Sequence, residues 1–182
     1  MIIRLDDCPL QAWKNGLGRT REIAVHPPGT GSDDFLWRVS VAEVDSAAPF
    51  SAFPSIDRTI ALLAGAGFTM TLDDGHVHAL RTPFEPFAFP GEAQVTVTLV
   101  DGPTRDFNLM VRRAHARGEL HVLQTPGVCL LDPAAVLVYV ARGTIRIAND
   151  ILHTGDAWRP TIDRFTLSEG AVAFVIRVEH FV

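Results

Sequence analysis

Strict alternation of apolar and polar residues recurs along this chain and restricts its fold more than any other feature. Trp37, Val39 and Val41 alternate with Arg38 and Ser40. A period of two marks a half-buried β-strand, because successive side chains point to opposite faces of a sheet. The same pattern occurs at 68–72, 95–99, 145–147 and 172–178. Because helical spacing with proper caps is scarce, the sequence predicts an all-β protein.

The candidate strands and the turns between them occur twice in the same order. The first series comprises 59–65, 68–72, 89–91 and 95–100. The second series comprises 136–141, 144–148, 154–156 and 171–178. Residues that favour turns, such as those at 73–75 and 149–150, separate the strands. A repeated all-β unit predicts two small β-barrels or jelly rolls packed together in one chain, which also hides strand edges.

Composition narrows the classes of function. The chain has 182 residues, of which 47% are hydrophobic, so it is long and apolar enough for one domain or two small ones sharing a core. Its 16 basic residues are scattered among 21 acidic ones, giving a net charge of -5. A nucleic-acid partner would require a basic patch, so we expect none.

The sequence also bears on location and redox chemistry. Acidic residues follow Met1 before a signal-peptide apolar region can form, and the apolar run at 134–141 is too short to span a bilayer. We therefore expect a cytoplasmic protein without membrane association. Cys8 and Cys129 lie far apart with no CxxC spacing, so we expect two free thiols.

Residues 13–22 form the most polar and glycine-rich motif of the chain. They combine two glycines, four charged side chains, an amide and a hydroxyl with one tryptophan. Glycine permits turns that let amides and cations converge on an anion. Neither a Walker loop nor a dinucleotide fingerprint matches the spacing. A ligand clamp and a plain surface turn are both compatible with this motif.

Four sequence runs resemble the HutD/Ves family: WKNGLGRTREIAVHPPG, FLWRVSVAEVDSAAPFSAFPSIDRTIALLAG, FAFPGE and LVDGPTRDFNLMVRR. The resemblance covers about the first 115 residues closely, and Leu17 departs from it where members often carry glycine. It implies a bicupin associated with histidine utilisation in bacteria. It further implies a regulator rather than an enzyme, which senses a carboxylate-bearing intermediate such as N-formylglutamate or urocanate.

The resemblance also implies a ligand site in an N-terminal barrel at 1–114, with a structural barrel at 115–182. Lys14, Arg19, Arg38 and Arg58 would supply positive charge, and Glu22 and Asp106 would hold these cations. Asn15, Thr20, Ser40 and Asn108 would orient polar atoms, and Trp13, Phe53 and Phe89 would form walls. Alternation places Asp106 with Asn108, and Arg38 with Ser40, on single strand faces. Those faces could line the cavity or meet solvent.

Metal and catalytic chemistry are not expected. His76 and His78 share a strand face, but no glutamate or third histidine follows at cupin spacing, so we expect no metal and no cofactor. Ser40 and Ser51 lack a nucleophile elbow, and we expect no catalytic residue.

Two alternatives to a regulator remain open. One is an enzyme that acts on an amide-bearing or carboxylate metabolite in the same pocket, with Glu22 or Asp106 as general base. The other is a protein-interaction module. The C-terminal barrel has few polar residues for a cavity, so its role would be structural or in oligomer contacts, and a homodimer is left open.

Overall fold

The computed structural model describes residues 1–13, 16–30, 34–47 and 49–181 and confirms the all-β prediction. Apart from the short 3-10 helix Leu5–Asp7, the regular elements of these residues are strands. The strands are β1 (Ile2–Ile3), β2 (Leu10–Ala12), β3 (Gly18–His26), β4 (Trp37–Val44), β5 (Ile56–Ala64), β6 (Phe68–Leu72), β7 (Val77–Leu80), β8 (Pro86–Pro90), β9 (Val95–Leu99), β10 (Thr104–Arg112), β11 (Ala116–Leu123), β12 (Gly127–Leu130), β13 (Ala135–Arg142), β14 (Thr144–Ile147), β15 (Asp150–His153), β16 (Ala157–Trp158), β17 (Arg164–Leu167) and β18 (Val172–His180). Within these residues no helix has the length and apolar character needed to cross a membrane.

The chain forms two compact units. The N-terminal unit consists of Pro9–Ala116 together with Phe181, and the C-terminal unit consists of Met1–Cys8 and Arg117–His180. The first eight residues join the C-terminal unit because Ile2 of β1 pairs with Trp158 of β16. Residues 1–8, which the sequence analysis assigned to an N-terminal barrel at 1–114, therefore belong to the C-terminal unit.

The N-terminal unit is a jelly roll of two sheets. The larger sheet has the order β2-β3-β4-β10-β5-β8, and the smaller has the order β7-β6-β9. Apolar side chains of β5, β6 and β9 form one core cluster, in which Ile60, Leu62, Phe68 and Met70 are fully buried. These residues alternate along their strands, so the period-two pattern of the sequence matches the face that is covered.

The C-terminal unit repeats this architecture with a more apolar interior. Its sheets have the orders β1-β16-β13-β18-β11 and β12-β17-β14-β15. The core cluster contains Val138, Val140, Ile145, Leu152 and Trp158, and every member of the cluster is apolar. Among the described residues, Asp156 is the one buried polar or charged residue of the C-terminal unit, whereas the N-terminal unit has five, namely Ser40, Arg58, Thr104, Asp106 and Asn108. The interior of the C-terminal unit is therefore better suited to apolar packing than to binding a polar ligand.

The strand orders show how the two units correspond. The neighbours β10-β5-β8 and β7-β6-β9 of the N-terminal unit match β18-β13-β16 and β15-β14-β17 of the C-terminal unit. The repeated unit expected from the sequence is therefore present in the fold. The last strand of each series does not correspond as expected. Residues 171–178 lie mostly in β18, which corresponds to β10. Residues 95–100 contain β9, which corresponds to β17. Sequence spacing missed this because β17 is a short strand between turns.

Candidate functional site

Polar side chains gather on one face of the larger N-terminal sheet. Ser40 of β4 pairs with Asn108 of β10, and Met110 of β10 lies between Arg38 of β4 and Arg58 of β5. Side chains of directly paired residues lie on the same face of a sheet. The register therefore brings together the Arg38–Ser40 and Asp106–Asn108 strand faces, which the sequence could relate only as separate pairs.

This face forms the floor of a cavity of about 510 Å³ in the N-terminal unit. The cavity is lined by Gln11, Ala12, Trp13, Thr20, Arg38, Ser40, Ala42, Pro49, Phe50, Ser51, Phe53, Arg58, Asp106, Asn108 and Met110. The volume is within the range of small-molecule sites. Its lining combines aromatic walls with a few convergent polar groups, which is typical of a ligand pocket.

Arg58 is a buried cation held by aromatic rings. Only 6% of Arg58 is exposed. Its guanidinium carbon lies 5.2, 5.6 and 4.9 Å from the ring centres of Phe50, Phe53 and Phe89, respectively. Burial lowers the pKa of Arg58 to about 10, against the raising effect of Asp106, so the group stays charged at neutral pH. Rings at this distance stabilise a desolvated cation through their negative faces.

Asn108 connects this cation to a buried carboxyl group. Arg58 Nη2 donates to Asn108 Oδ1 at 2.8 Å, and Asn108 Nδ2 donates to Asp106 Oδ1. The orientation of the Asn108 amide is thus set by Arg58, which donates to its oxygen, and by Asp106, which accepts from its nitrogen. Asp106 Oδ2 has no hydrogen-bond partner among the described residues.

Asp106 is the titratable group of the cavity. The residue is 1% exposed, and burial raises the pKa of its carboxyl group to about 7, although Arg58 and Asn108 act in the opposite direction. Desolvation penalises the charged form, and a single nearby cation does not fully compensate for it. At neutral pH Asp106 is therefore close to the midpoint of its titration.

Arg38 offers a second cation beside the cavity. Its Nε donates to Glu22 Oε2 at 2.9 Å. Its two terminal nitrogens make no hydrogen bond with the residues that the structure describes. The two terminal nitrogens of a guanidinium group can donate to both oxygens of a carboxylate. Arg38 can therefore bind an anion while its Nε remains hydrogen-bonded to Glu22.

Trp13 closes one wall because Gly18 leaves room for it. The Trp13 indole N–H donates to Thr20 Oγ1 at 2.7 Å. A Cβ at Gly18 would lie 2.9 Å from the Trp13 ring and 2.7 Å from the carbonyl oxygen of Glu43. The second glycine of the 13–22 motif is thus required by close packing rather than by an unusual backbone angle.

The structure brings most of the residues predicted for the site to the cavity wall. Those that line it are Trp13, Thr20, Arg38, Ser40, Phe53, Arg58, Asp106 and Asn108. Glu22 and Phe89 lie outside the lining and contact Arg38 and Arg58. Arg19 forms an ion pair with Glu43 at 2.9 Å instead, because strand alternation turns it to the face opposite Thr20. Lys14 and Asn15 lie outside the described residues.

Several lining residues were not predicted from the sequence. Met110 continues the alternation of Asp106 and Asn108, and Ala42 continues that of Arg38 and Ser40, so the strand pattern could have identified both. Phe50 and Ser51 lie within a run that resembles the family. Gln11 and the remaining residues reach the cavity only through tertiary contacts, for which the sequence has no signal.

The His76 and His78 side chains pack against an aromatic ring. They stack on Phe87, with ring centres 5.8 and 3.7 Å from the Phe87 ring. Within the described part of the chain, no three His, Cys, Asp or Glu side chains lie close enough together to hold a metal ion. The donor set of the cavity consists of guanidinium, hydroxyl and amide groups with one carboxyl group, which suits an anion.

Asp106→Asn tests the titration of the buried carboxyl group. We expect the wild-type protein to lose stability relative to this variant as the pH rises from about 4 to about 7. In that window the unfolded chain has released the proton that folded Asp106 retains, so each pH unit costs at most about 1.4 kcal/mol. Urea unfolding of both proteins between these pH values measures the difference. A difference that is constant across the window would contradict the assignment.

Comparison with known proteins relates the chain to one family. The family model described as HutD matches residues 5–175. The protein Ves of Cronobacter sakazakii is 41% identical over 174 residues, covering 91% of this chain and 92% of Ves. A Pseudomonas putida protein, described as an uncharacterized 21.2 kDa protein in the hutC 3' region, is 35% identical over 147 residues, or 81% of this chain and 76% of that protein.

Solved structures show the same relationship and the wider fold. The structure of HutD from Pseudomonas fluorescens SBW25, described as its formate condition, has a TM-score of 0.84 and 30% identity, and covers 100% of this chain and 99% of that one. A Cupin 2 conserved barrel domain protein from Leptotrichia buccalis has a TM-score of 0.61 at 9% identity, covering 98% and 96% of the two chains. The latter similarity establishes that the fold is cupin-like.

Proposed function

The chain belongs to the HutD family, and from that premise we propose that it is a metal-independent regulator of histidine utilisation that binds a carboxylate-bearing intermediate. The observation that carries the proposal is the cavity of the N-terminal unit, lined by buried Arg58 and by Arg38, whose terminal nitrogens bond to none of the described residues. N-formylglutamate and urocanate are the two ligand classes that we consider.

The spacing of the two cations suits a small acid. Arg38 and Arg58 lie on strands that flank β10, and a strand separation of about 4.8 Å puts their Cα atoms about 10 Å apart. One carboxylate can lie between the two guanidinium groups, or two carboxylates can each pair with one of them. The first arrangement favours urocanate, whose flat ring would pack on aromatic side chains such as Phe50 and Trp13. The second arrangement favours N-formylglutamate.

Two relatives support the biological context. The Pseudomonas putida relative is described by its position beside hutC, and the description of the Pseudomonas fluorescens structure names formate, the smallest carboxylate. The first description agrees with a link to the histidine-utilisation locus, and the second suggests formate as a probe. They guide the choice of ligands for the experiment.

A thermal-shift titration of chelator-treated protein tests the ligand class. The ligands are urocanate, N-formylglutamate, glutamate, histidine and formate, with formamide as the uncharged counterpart of formate. A ligand that binds only the folded state raises the unfolding temperature with its concentration. We expect a saturable shift with a pathway carboxylate and none with formamide. Equal shifts with formate and formamide, or a large shift with a divalent metal alone, would contradict the proposal.

Regulation requires a separate test in the organism that encodes the protein. Deleting the gene should change the expression of histidine-utilisation genes when histidine is supplied, and the wild-type gene should restore it. Unchanged expression in the deletion strain, together with carboxylate binding in vitro, would remove the regulatory role and keep the binding function.

An enzyme remains the second candidate because Asp106 titrates near neutral pH in a cavity. A general base or acid works best when its pKa lies close to the working pH. Metal-free protein should then release formate from N-formylglutamate over many turnovers, and Asp106→Asn should stop this. Binding without product would favour the regulator.

A further inference from the structure

We propose that the cavity binds its carboxylate together with a proton, and that Asp106 holds this proton and donates its Oδ2–H group to the ligand. The inference rests on the proposed function, since it concerns the same site and the same class of ligand. It adds that affinity depends on pH through one named side chain, and that Asp106 is a hydrogen-bond donor in the complex.

The charges on the cavity face lead to this inference. Arg112 lies on the same face of β10 but outside the cavity lining, and its Nε donates to the carbonyl oxygen of Phe35. Among the described residues, the charged groups at the cavity are Arg58, Arg38 and Asp106 of its lining, together with Glu22, which is bonded to Arg38. With Asp106 ionised, the two cations and two anions of this set cancel, and a bound carboxylate would add an uncompensated negative charge. With Asp106 protonated, the set carries one net positive charge, which a bound carboxylate neutralises.

Burial makes this difference large. Asp106 is 1% exposed, and an anion placed beside its ionised carboxylate would have little water to screen the repulsion. Among the described residues, the other segments that line the cavity bring no further charge. The residues that the 11–13 and 49–53 segments contribute to the lining are Gln11, Ala12, Trp13, Pro49, Phe50, Ser51 and Phe53.

The hydrogen bonds leave one atom of Asp106 for the ligand. Oδ1 accepts from Asn108, which in turn accepts from Arg58, so both sides of the amide are used. Oδ2 has no partner among the described residues, although the residue lines the cavity. A buried polar atom without a partner destabilises the folded state. A protonated Oδ2 that donates to a ligand oxygen removes this destabilisation.

The proton is available under physiological conditions. Burial raises the pKa of Asp106 to about 7, so a substantial fraction of the ligand-free protein is already protonated at neutral pH. A bound anion favours the protonated form further. Binding should therefore take up the rest of a proton for each carboxylate bound, and acidification should strengthen binding.

Formate is the probe that tests this coupling, because it stays ionised throughout the pH range used. We compare wild-type protein with Asp106→Asn at about pH 6 and about pH 8.5, following binding by ¹³C NMR of labelled formate. Above the pKa of Asp106, the wild-type affinity should fall by about tenfold per pH unit, or about 30-fold in total. The variant should bind almost equally at both pH values, and more tightly than wild type at the higher one.

Asp106→Asn is well suited to this test because asparagine resembles the protonated acid. Its amide oxygen can accept from Asn108, and its N–H group can donate where Oδ2–H would. A merely structural role of Asp106 would change the affinity at all pH values and leave the pH profile in place. Arg19→Met, which removes a cation outside the cavity, is the matched control and should keep the wild-type profile.

Proton uptake is measured directly in unbuffered solution. Saturating the wild-type protein with formate at about pH 8 should consume nearly one proton per bound ligand, and the variant should consume none. Formate binding without pH dependence or proton uptake would overturn the coupling and keep the proposed function. Asp106→Asn with an unchanged pH profile would also overturn it. Failure of formate, urocanate and N-formylglutamate to bind the wild-type protein at either pH would overturn both proposals.

Discussion

Replacing Arg58 with methionine should weaken the binding of formate or urocanate by at least about 100-fold, which corresponds to about 2.7 kcal/mol. Arg58 is the buried cation of the cavity, and its partner Asn108 links it to Asp106. Without this charge, a bound carboxylate would lose its buried counter-ion and would also raise the pKa of Asp106 further. We expect the loss as a slower association and a faster release of the ligand.

The fold should tolerate this substitution. Methionine is an unbranched apolar side chain that can fill the space between Phe50, Phe53 and Phe89, where sulfur–aromatic contacts are favourable. Replacing both partners of a buried ion pair by apolar groups is often neutral for stability, whereas removing one partner leaves the other charge unpaired. Asp106 can take up a proton when Arg58 is removed, which limits this cost. The free energy of unfolding should therefore change much less than the free energy of ligand binding.

Two further variants make the Arg58 result specific. Arg58→Lys keeps the charge but lacks the planar fork, so we expect intermediate affinity. Arg19→Met removes a cation whose partner is Glu43 outside the cavity, and should bind as wild type does. The assignment of Arg58 would fail if Arg58→Met bound the carboxylate with wild-type affinity, as measured by calorimetry or labelled-ligand NMR.

Replacing Trp158 with alanine should destabilise the C-terminal unit by about 3–5 kcal/mol. Trp158 is 1% exposed and belongs to the apolar cluster of that unit. Truncation removes its buried apolar surface and leaves a cavity that the surrounding strands can fill only in part. It also removes the side chain opposite Ile2, one of the two residues through which the first strand pairs with this unit.

Urea unfolding measures this effect, and Trp158→Phe is its control. Phenylalanine retains most of the apolar contact, so we expect a clearly smaller loss than with alanine. Under conditions where Trp158→Ala is still folded, its affinity for formate should equal that of the wild-type protein. A large loss of affinity in the folded variant would contradict a purely structural role for the C-terminal core.

The two units have the same topology, but we expect ligand binding in the N-terminal unit and a structural role for the core of the C-terminal unit. In the N-terminal unit, β10 pairs with β5 and brings Asp106 and Asn108 beside Arg58. In the corresponding pair of the C-terminal unit, β18 and β13 bring together Val175 with Val138 and Phe174 with Tyr139. The corresponding strand pair thus contributes to a polar cavity floor in one unit, whereas in the other it brings Val138 and Val175 into an apolar core.

The fold class and much of the strand pattern follow from the sequence alone. The alternating segments at 68–72 and 95–99 have the same bounds as β6 and β9, because a period of two directly reflects the geometry of a strand. The repeated order of strands and turns predicted two related units, and four sequence runs identified the family. Alternation also showed that Asp106 shares a strand face with Asn108.

Which strand faces line the cavity, and how their residues meet, depends on contacts between distant segments. Alternation groups side chains by face, but the register between β4, β10 and β5 determines that Arg38, Asn108 and Arg58 share one floor. The cage around Arg58 comes from Phe50, Phe53 and Phe89, and the placement of β1 depends on a strand more than 150 residues later. Local sequence carries the strand period, whereas burial, and with it the pKa of Asp106, arises from contacts between distant segments.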